Sequence, residues 1–306
     1  MFEDDVRDGL LKEGQKTLPP VWFYDDVGSA LFEAITVLPE YGLSRADCRL
    51  LEQHAKAIVN EARSPGLIVE LGSGVGSKTR HLLGASENVV YRPIDISAAA
   101  LRLCDISLEG MDNVTVEPIE ADYDMGLTLA LQHRHEDRHA LLLFLGSTIG
   151  NFSRPEALEF LQMLRGHLRP GDRFLLGADL VKDREALLLA YDDPTGVTAA
   201  FNKNLLARIN RELAGEFDLR CFEHEARFNE EEGRVEMHLR STVNQCVKIG
   251  ALNANVKFEK GETIWTESSH KFSAAELIEM GERAGWHYSY QWIDEDWGFA
   301  ETLFVY

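Results

Sequence analysis

Between residues 66 and 181, short apolar segments alternate with amphipathic ones, and this alternation strongly limits the folds that the chain can adopt. The apolar segments are rich in Leu, Ile and Val and lack a polar face, so they predict strands buried on both sides. Such strands joined by helices predict an α/β fold, a parallel sheet with helices on both faces. The predicted strands are "GLIVEL", "VVYRPIDIS", "VTVEPIEAD", "HALLLFLG" and "DRFLLGADL".

The alternation stops after residue 181. A helical segment around a Pro-Thr-Gly turn follows, and then period-two segments predict two hairpins, one turning near residues 231–233 and one at Lys260-Gly261. A helix and two strands close the chain. We therefore expect a sheet core over residues 46–181 and 272–306, and a second, α+β domain formed by residues 1–45 and 182–271.

The composition excludes several classes of function. The chain of 306 residues has a formal net charge of −20, and a polyanion gains nothing from contact with phosphate backbones, so no nucleic-acid partner is expected. The apolar runs are too short to cross a bilayer, and the acidic N-terminus does not read as a signal peptide. Four separated cysteines without CxxC spacing predict reduced thiols rather than zinc ligands or disulfides. We expect a cytoplasmic monomer with no metal and no membrane contact.

The glycine-rich segment "IVELGSGVGSKT" (residues 68–79) is compatible with three kinds of ligand at first sight. A Walker A loop requires glycine directly before Lys-Thr, where this chain has Ser77, so a nucleoside triphosphate is disfavoured. The dinucleotide fingerprint G-x-G-x-x-G also requires a glycine at that position. The pattern is instead E-x-G-x-G-x-G, from Glu70 to Gly76. Glycines at this spacing let the backbone approach a cofactor without an intervening Cβ.

Two acidic residues follow at the ends of the next two strands. Asp95 in "YRPIDIS" comes where a carboxylate binds ribose hydroxyls, although it is also placed to cap the next helix. Asp122 and Tyr123 belong to "EADY", at the end of the third strand. Together with the glycine loop, these features resemble the cofactor site of class I S-adenosylmethionine methyltransferases. The resemblance implies S-adenosyl-L-methionine as the cofactor.

Four motifs narrow this resemblance: "LPEYGLSRAD", "LGSTIGNF", "YDDPTGVTAAFNKNLL" and "TESSHKFS". They resemble the histidine Nα-methyltransferases of ergothioneine biosynthesis, over essentially the whole chain. The resemblance implies a class I methyltransferase core, Rossmann-like with a mostly parallel sheet and an antiparallel last strand, and an α+β substrate-binding domain. It implies Nα-methylation of L-histidine to hercynine, with a small-molecule amino acid as the only partner besides the cofactor.

The resemblance also implies a set of site residues. Those matching the substrate-binding positions are Tyr41, Asn151, Tyr191, Met237, Glu267 and Ser269. Of these, Asn151 and Tyr191 would hold the amino and carboxylate groups, and the others would surround the imidazole. Those matching the cofactor-binding positions are Tyr24, Gly72, Lys78, Asp95, Asp122 and Tyr123. No residue is assigned as a general acid or base.

Some of these residues also have an ordinary structural interpretation. Taken alone, Tyr191 and Met237 fit core positions, and Glu267 fits the solvent face of a strand. The spacing of Glu267 and Ser269 puts both on one strand face, which favours a site. Gly42 stands beside Tyr41 where some relatives have a bulkier residue. The sequence leaves open an N-methyltransferase for another amino acid or an aromatic amine, and a cofactor-binding regulator without activity.

Overall fold

A computed structural model describes residues 1–132, 134 and 139–306 of the chain. It divides into two compact units. We call Leu43–Val181 with His270–Tyr306 the sheet unit, and Met1–Gly42 with Lys182–Ser269 the insertion unit. Among the described residues, every helix is too short or too polar to span a bilayer.

Helices and strands alternate through most of the chain. The helices are α1 (Phe2–Leu11), α2 (Asp26–Thr36), α3 (Gly42–Glu61), α4 (Arg80–Ala85), α5 (Ala98–Ser107), α6 (Tyr123–Leu131), α7 (Arg154–His167), α8 (Arg184–Tyr191), α9 (Val197–Leu213) and α10 (Ala274–Arg283). The strands are β1 (Lys16–Thr17), β2 (Leu67–Leu71), β3 (Val89–Asp95), β4 (Val114–Val116), β5 (Ile119–Glu120), β6 (Ala140–Phe144), β7 (Arg173–Asp179), β8 (Phe222–Asn229), β9 (Arg234–Ser241), β10 (Gln245–Ile249), β11 (Ala254–Phe258), β12 (Thr263–His270), β13 (His287–Asp294) and β14 (Phe299–Val305).

The sheet unit contains one mixed sheet with strand order β13-β14-β7-β6-β2-β3-β4, and β5 also pairs with β3. Strands β2 to β7 pair in parallel, whereas β14 is antiparallel to β7 and to β13. Every residue of β2, β6 and β7 is buried, as expected for strands covered on both faces. The predicted α/β fold with a mostly parallel sheet and an antiparallel last strand is confirmed.

The strand order places the crevice where this kind of sheet binds ligands. From β2 the chain continues to β3 on one side, and it later returns to β6 on the other side. Loops leaving the carboxyl ends of β2 and β6 therefore diverge, and α/β sheets bind ligands at such a switch point. The glycine loop leaves β2 at this point, and the segment containing Asn151 follows β6.

Aromatic side chains from β7, from β14 and from the segment after α10 pack together in the sheet unit. Phe174 and Phe304 pair across β7 and β14, and the Trp286 ring lies 5.1 Å from that of Phe174. The Trp286 indole N–H donates to the Leu161 carbonyl over 3.1 Å, so its one polar group is satisfied. Burying each such ring contributes about 1.5–3 kcal/mol to stability. This core makes the sheet a rigid support for the loops at its edge.

The insertion unit contains a four-stranded sheet, β1-β12-β9-β8, and the separate hairpin β10-β11. The N-terminal segment joins the larger sheet because β1 pairs in parallel with β12. The second predicted hairpin is wrong, because β11 pairs with β10 and β12 lies between β1 and β9. The turn at Gly261 exists, with φ +92°. In β10 and β11 the buried residues alternate with exposed ones, which suits a hairpin covered on one face. Strand β12 is buried over more of its length, which suits a central position in a sheet.

Two helix or strand boundaries also differ from those predicted from the sequence. The predicted third strand is divided into β4 and β5 around Pro118, which has no N–H to contribute to a sheet ladder. The segment "SRADCRLLEQHAKAIVNEARS" predicts a helix capped by Ser44, but α3 begins at Gly42 and Ser44 lies inside it.

Candidate functional site

Backbone conformation determines the shape of the glycine loop. Gly72, Gly74 and Gly76 have φ values of +65°, +53° and +67°, in the left-handed region that residues with a Cβ rarely adopt. The Gly72 N–H donates to the Ile94 carbonyl over 2.8 Å, which joins the start of the loop to the end of β3. The loop therefore turns sharply at the carboxyl end of β2, as the spacing of the glycines predicted.

The surroundings of the three glycines differ. A Cβ at Gly76 would lie 2.5 Å from the Cys104 sulfur, and one at Gly72 would lie 3.1 Å from the Tyr123 hydroxyl. A Cβ at Gly74 would meet no atom within 4 Å. Gly76 is therefore needed for packing, whereas Gly74 leaves the loop surface open for close approach of a ligand.

Asp95 links the end of β3 to this loop. Its Oδ2 accepts the Gly74 N–H over 3.1 Å, and its Oδ1 accepts the Ser97 N–H over 2.9 Å. The cap of α5 is Ser97, which accepts from the Ala100 N–H, so helix capping does not account for Asp95. Burial raises the pKa of Asp95, against the lowering effect of these two donors. The carboxylate orders the loop and remains half-buried beside it.

Glu70, which opens the glycine motif, lies in the interior. It is 1% exposed and accepts hydrogen bonds from the Thr79 hydroxyl over 2.7 Å and from the Tyr91 hydroxyl. Burial raises the pKa of Glu70 to about 7. These bonds join β2 to β3 and to the segment before α4. Through these hydrogen bonds Glu70 stabilises the glycine loop from the protein interior.

Lys78 connects the glycine loop to the loop after β6. Its Nζ lies 2.6 Å from Asp47 Oδ2, and the same oxygen accepts the Gly146 N–H over 3.0 Å. Burial alone would lower the pKa of Lys78, but the carboxylates of Asp47, Glu70 and Glu301 together more than offset this and the net shift is upward. Asp47 ends the motif "LPEYGLSRAD", but nothing in the sequence indicated that this residue of α3 would contact Lys78.

Asp122 and Tyr123 lie at the start of α6. Asp122 is exposed and caps the helix by accepting the Met125 N–H over 2.9 Å. Tyr123 packs its ring on Phe144 at 5.7 Å, and its hydroxyl lies beside Gly72. The structure thus brings Tyr123 to the glycine loop, and it gives Asp122 at least a capping role.

Asn151 ends a single 3-10 turn after β6, Thr148–Asn151. The Ser147 hydroxyl before the turn accepts the Asp179 N–H over 2.9 Å. The Gly150 carbonyl lies 3.0 Å from His270 Nδ1, which donates to it because a carbonyl oxygen only accepts. Bonds from β7 and from the end of β12 therefore hold the turn that presents Asn151.

Within the insertion unit, a cavity brings together four of the six predicted substrate residues. Its lining residues are Phe32, Ile35, Tyr41, Ala190, Tyr191, Thr198, Phe201, Met237 and Glu267. The Tyr191 hydroxyl donates to Ser269 Oγ over 2.7 Å, so a fifth predicted residue joins the group. The Tyr41 and Tyr191 rings meet edge to face at 6.0 Å. The lining is therefore mostly aromatic and aliphatic, and Glu267 is its acidic member.

A family model described as "Histidine-specific methyltransferase, SAM-dependent" matches residues 2–306. The chain belongs to this family. It is 42% identical to a histidine N-alpha-methyltransferase of Mycolicibacterium smegmatis, covering 98% of this chain and 94% of that protein. The enzyme of the same name from Mycobacterium tuberculosis is also 42% identical, with 98% and 93% covered. Ergothioneine biosynthesis protein 1 of Neurospora crassa is 31% identical over 92% of this chain, which spans 32% of that longer protein.

The cavity also has lining residues that the sequence did not reveal. Phe32, Thr198 and Phe201 line the cavity, but on sequence they fit the ordinary apolar or capping pattern of α2 and α9. Tyr24, predicted to contact the cofactor, belongs to the insertion unit. Its ring lies 5.6 Å from Phe32 and 5.9 Å from Phe201. Tyr24 therefore stands beside the wall of this cavity.

Proposed function

We propose that this protein transfers methyl groups from S-adenosyl-L-methionine to the α-amino nitrogen of L-histidine. The observation that carries the proposal is the cavity where Tyr41, Tyr191, Met237 and Glu267 converge. These residues come from distant parts of the chain, and the sequence resemblance implies a substrate contact for each of them. The names of the mycobacterial relatives support the same substrate.

The lining of the cavity fits an imidazole better than a larger apolar ring. A carboxylate such as that of Glu267 accepts hydrogen bonds, and an imidazole N–H can donate one whereas a phenyl ring cannot. The Trp265 indole N–H donates to the Glu267 carbonyl over 2.8 Å, which fixes the backbone beneath that carboxylate. Tyr41 and Met237 supply apolar walls. We assign the substrate carboxylate to Tyr191, whose hydroxyl would turn its one proton from Ser269 Oγ to the carboxylate when the substrate binds.

The sheet unit provides the residues that would hold S-adenosylmethionine. The open backbone at Gly74 permits close contact, and Asp95 offers a half-buried carboxylate for ribose hydroxyls. Tyr123 of α6 lies beside Gly72 at the start of the glycine loop, and Lys78 lies near the end of that loop. When bound, the cofactor supplies an electrophilic methyl group on a sulfonium. We therefore assign binding of the methyl donor to these residues of the sheet unit.

The remaining task of the protein is to present an amine lone pair. Methyl transfer is an in-line displacement, for which the reacting atoms approach to about 3–3.5 Å with aligned orbitals. Asn151 would accept an N–H of the amine and so direct its lone pair. The leaving thioether needs no acid, and the amine proton can leave to solvent before transfer. The rate should therefore rise with pH through the pKa of the substrate amine.

The product follows from the same chemistry. Each transfer adds one methyl group, and three successive transfers end at hercynine, a quaternary betaine without a lone pair. The Neurospora crassa relative bears the name of ergothioneine biosynthesis, which supports a place in that pathway, and we propose that this methylation is its first step. We further propose that the protein acts as a cytoplasmic monomer, with no nucleic-acid or membrane partner.

Mass spectrometry of products tests this function directly. The protein is incubated with S-adenosylmethionine and each free amino acid in turn, and mono-, di- and trimethylated products are quantified. Histidine should be converted fastest. Preferred methylation of tryptophan or another amine would replace histidine as the substrate, and cofactor binding without any methylated product would favour a regulator.

A further inference from the structure

A fully buried amide in the insertion unit connects three of the elements that line the cavity. Asn202 of α9 is 0% exposed and follows Phe201, a lining residue. Its Nδ2 lies 2.8 Å from His224 Nδ1 and 3.1 Å from the His238 carbonyl. Its Oδ1 lies 2.8 Å from the Thr266 hydroxyl. All polar atoms of this amide are therefore used inside the protein.

The partners of this amide determine its orientation and the tautomer of His224. Because the His238 carbonyl only accepts, the atom facing it is the NH₂ group of Asn202. The same NH₂ then donates to His224 Nδ1, which must carry no proton. His224 Nε2 lies 2.7 Å from the Tyr191 carbonyl, another pure acceptor, so the proton sits on Nε2. The carbonyl groups of His238 and Tyr191 thus independently require neutral His224 with its proton on Nε2.

Each hydrogen bond of Asn202 and His224 involves a residue that lines the cavity or the residue next to one. His224 holds the carbonyl of Tyr191 at the end of α8. The Thr266 hydroxyl lies 3.0 Å from the Met237 carbonyl as well as beside Asn202, and Thr266 precedes Glu267 on β12. Displacing the amide would therefore move residues on α8, β9 and β12 together.

We propose that Asn202, His224 and Thr266 form a positioning relay that fixes Tyr191 and Glu267 for binding of the amino-acid substrate. The role is indirect, because these three side chains act through the backbone of residues that line the cavity. It rests on the proposed function, since histidine is the ligand whose affinity the relay would govern. Burial lowers the pKa of His224, which favours the neutral form that the relay requires, although the Tyr191 carbonyl and the nearby Asp192 act in the opposite direction.

Two substitutions at His224 separate the relay from general packing. The amide nitrogen of glutamine can replace Nε2 of histidine, so His224→Gln retains a donor for the Tyr191 carbonyl. The shorter His224→Asn can retain an acceptor for Asn202 but does not reach Tyr191. Losing one buried hydrogen bond should raise the KM for histidine about tenfold in H224N, with kcat and cofactor affinity changed less than about twofold. H224Q should stay within about threefold of the wild-type KM.

Asn210 provides a matched control on the same helix. Its amide also bonds to backbone, with the Phe217 carbonyl at 2.8 Å and the Phe217 N–H at 2.9 Å, but Asn210 does not line the cavity. Asn210→Ala should lower the thermal unfolding temperature and leave the KM for histidine unchanged. Equal KM values in H224N and H224Q would overturn the relay.

Thr266→Val decides the question if H224N does not fold. It removes only the hydroxyl that faces Asn202 and Met237, with little change in volume, and should raise the KM for histidine by about threefold or more. A folded Thr266→Val protein with the wild-type KM would overturn the relay while the function stands. Failure of the wild-type protein to methylate histidine would instead overturn the proposed function itself.

Discussion

The glycine loop of the sheet unit and the cavity of the insertion unit are built from different parts of the polypeptide. The loop depends on backbone: three glycines with positive φ, and the Gly74 N–H held by Asp95. The cavity depends on side chains contributed by α2, α8, α9, β9, β12 and the segment around Tyr41. A backbone site is specified by a few consecutive residues, whereas a side-chain site requires several elements to meet.

This difference has a functional meaning within the proposed reaction. Contacts from the backbone are hard to change by single substitutions, which suits a cofactor that stays the same across a family. Contacts from side chains can be replaced one at a time, so the substrate can change while the fold is kept. Substitutions in the loop should therefore affect folding and cofactor binding, and substitutions in the cavity should affect substrate choice.

The largest expected effect is on the loop itself. Gly76→Ala would place a Cβ 2.5 Å from the Cys104 sulfur at φ +67°, so we expect a loss of about 2–5 kcal/mol in unfolding free energy. Gly74→Ala is the matched control, because it has a similar φ but no neighbour within 4 Å, and it should cost only about 1–2 kcal/mol. Urea unfolding measures both. Equal losses would mean that packing around the loop is unimportant.

The next effect concerns Glu70 and the pH dependence of stability. Burial raises its pKa from 4.5 to about 7, so the folded state binds this proton more tightly than the unfolded state. Stability from this group is therefore full below pH 4.5 and lost as the pH rises through 7, by about 3 kcal/mol in total. Glu70→Gln should flatten the profile of unfolding free energy against pH by about that amount. The exposed Glu87→Gln should follow the wild-type profile, and a Glu70→Gln curve that does so too would contradict the prediction.

Asp95 tests whether the loop serves the cofactor. Asp95→Ala removes a carboxylate proposed for ribose hydroxyls and the acceptor for the Gly74 N–H, so S-adenosylmethionine binding should weaken by about 1.5–3 kcal/mol. Asp95→Asn retains an acceptor oxygen and should lose less. Isothermal titration calorimetry measures both affinities. Unchanged affinity in the alanine variant would remove Asp95 from the cofactor site.

Glu267 tests the other side of the comparison. Without its carboxylate, an imidazole N–H in the cavity would be unpaired, which should lower kcat/KM for histidine by about 1.5–3 kcal/mol, or tenfold to 150-fold. Because Glu267 is half-buried, we expect the lower end of this range. Glu267→Ala should also raise activity on tryptophan relative to histidine, with cofactor affinity nearly unchanged. Wild-type histidine kinetics in a folded variant would show that the carboxylate does not recognise the ring.

Sequence reasoning was most successful where neighbouring residues determine the structure. The spacing of the three glycines predicted a sharp turn after β2, and Asp95 was expected at the end of β3, where it lies. It failed where pairing partners are remote, since alternating patterns alone could not tell that β11 joins β10 instead of β12. It also assigned no role to Asp47 at the end of "LPEYGLSRAD", because nothing in α3 indicates that Lys78 will contact this residue.

The sequence by itself determined the α/β core, the backbone of the glycine loop and, through its motifs, the family. These features depend on local periodicity and on φ values that only glycine adopts easily, and both can be read from consecutive residues. Only the tertiary structure decided that Tyr41, Tyr191, Met237 and Glu267 share one cavity, and that Asn202 holds its walls through His224 and Thr266. Such contacts join residues far apart in the chain, so their geometry exists only after the elements have packed.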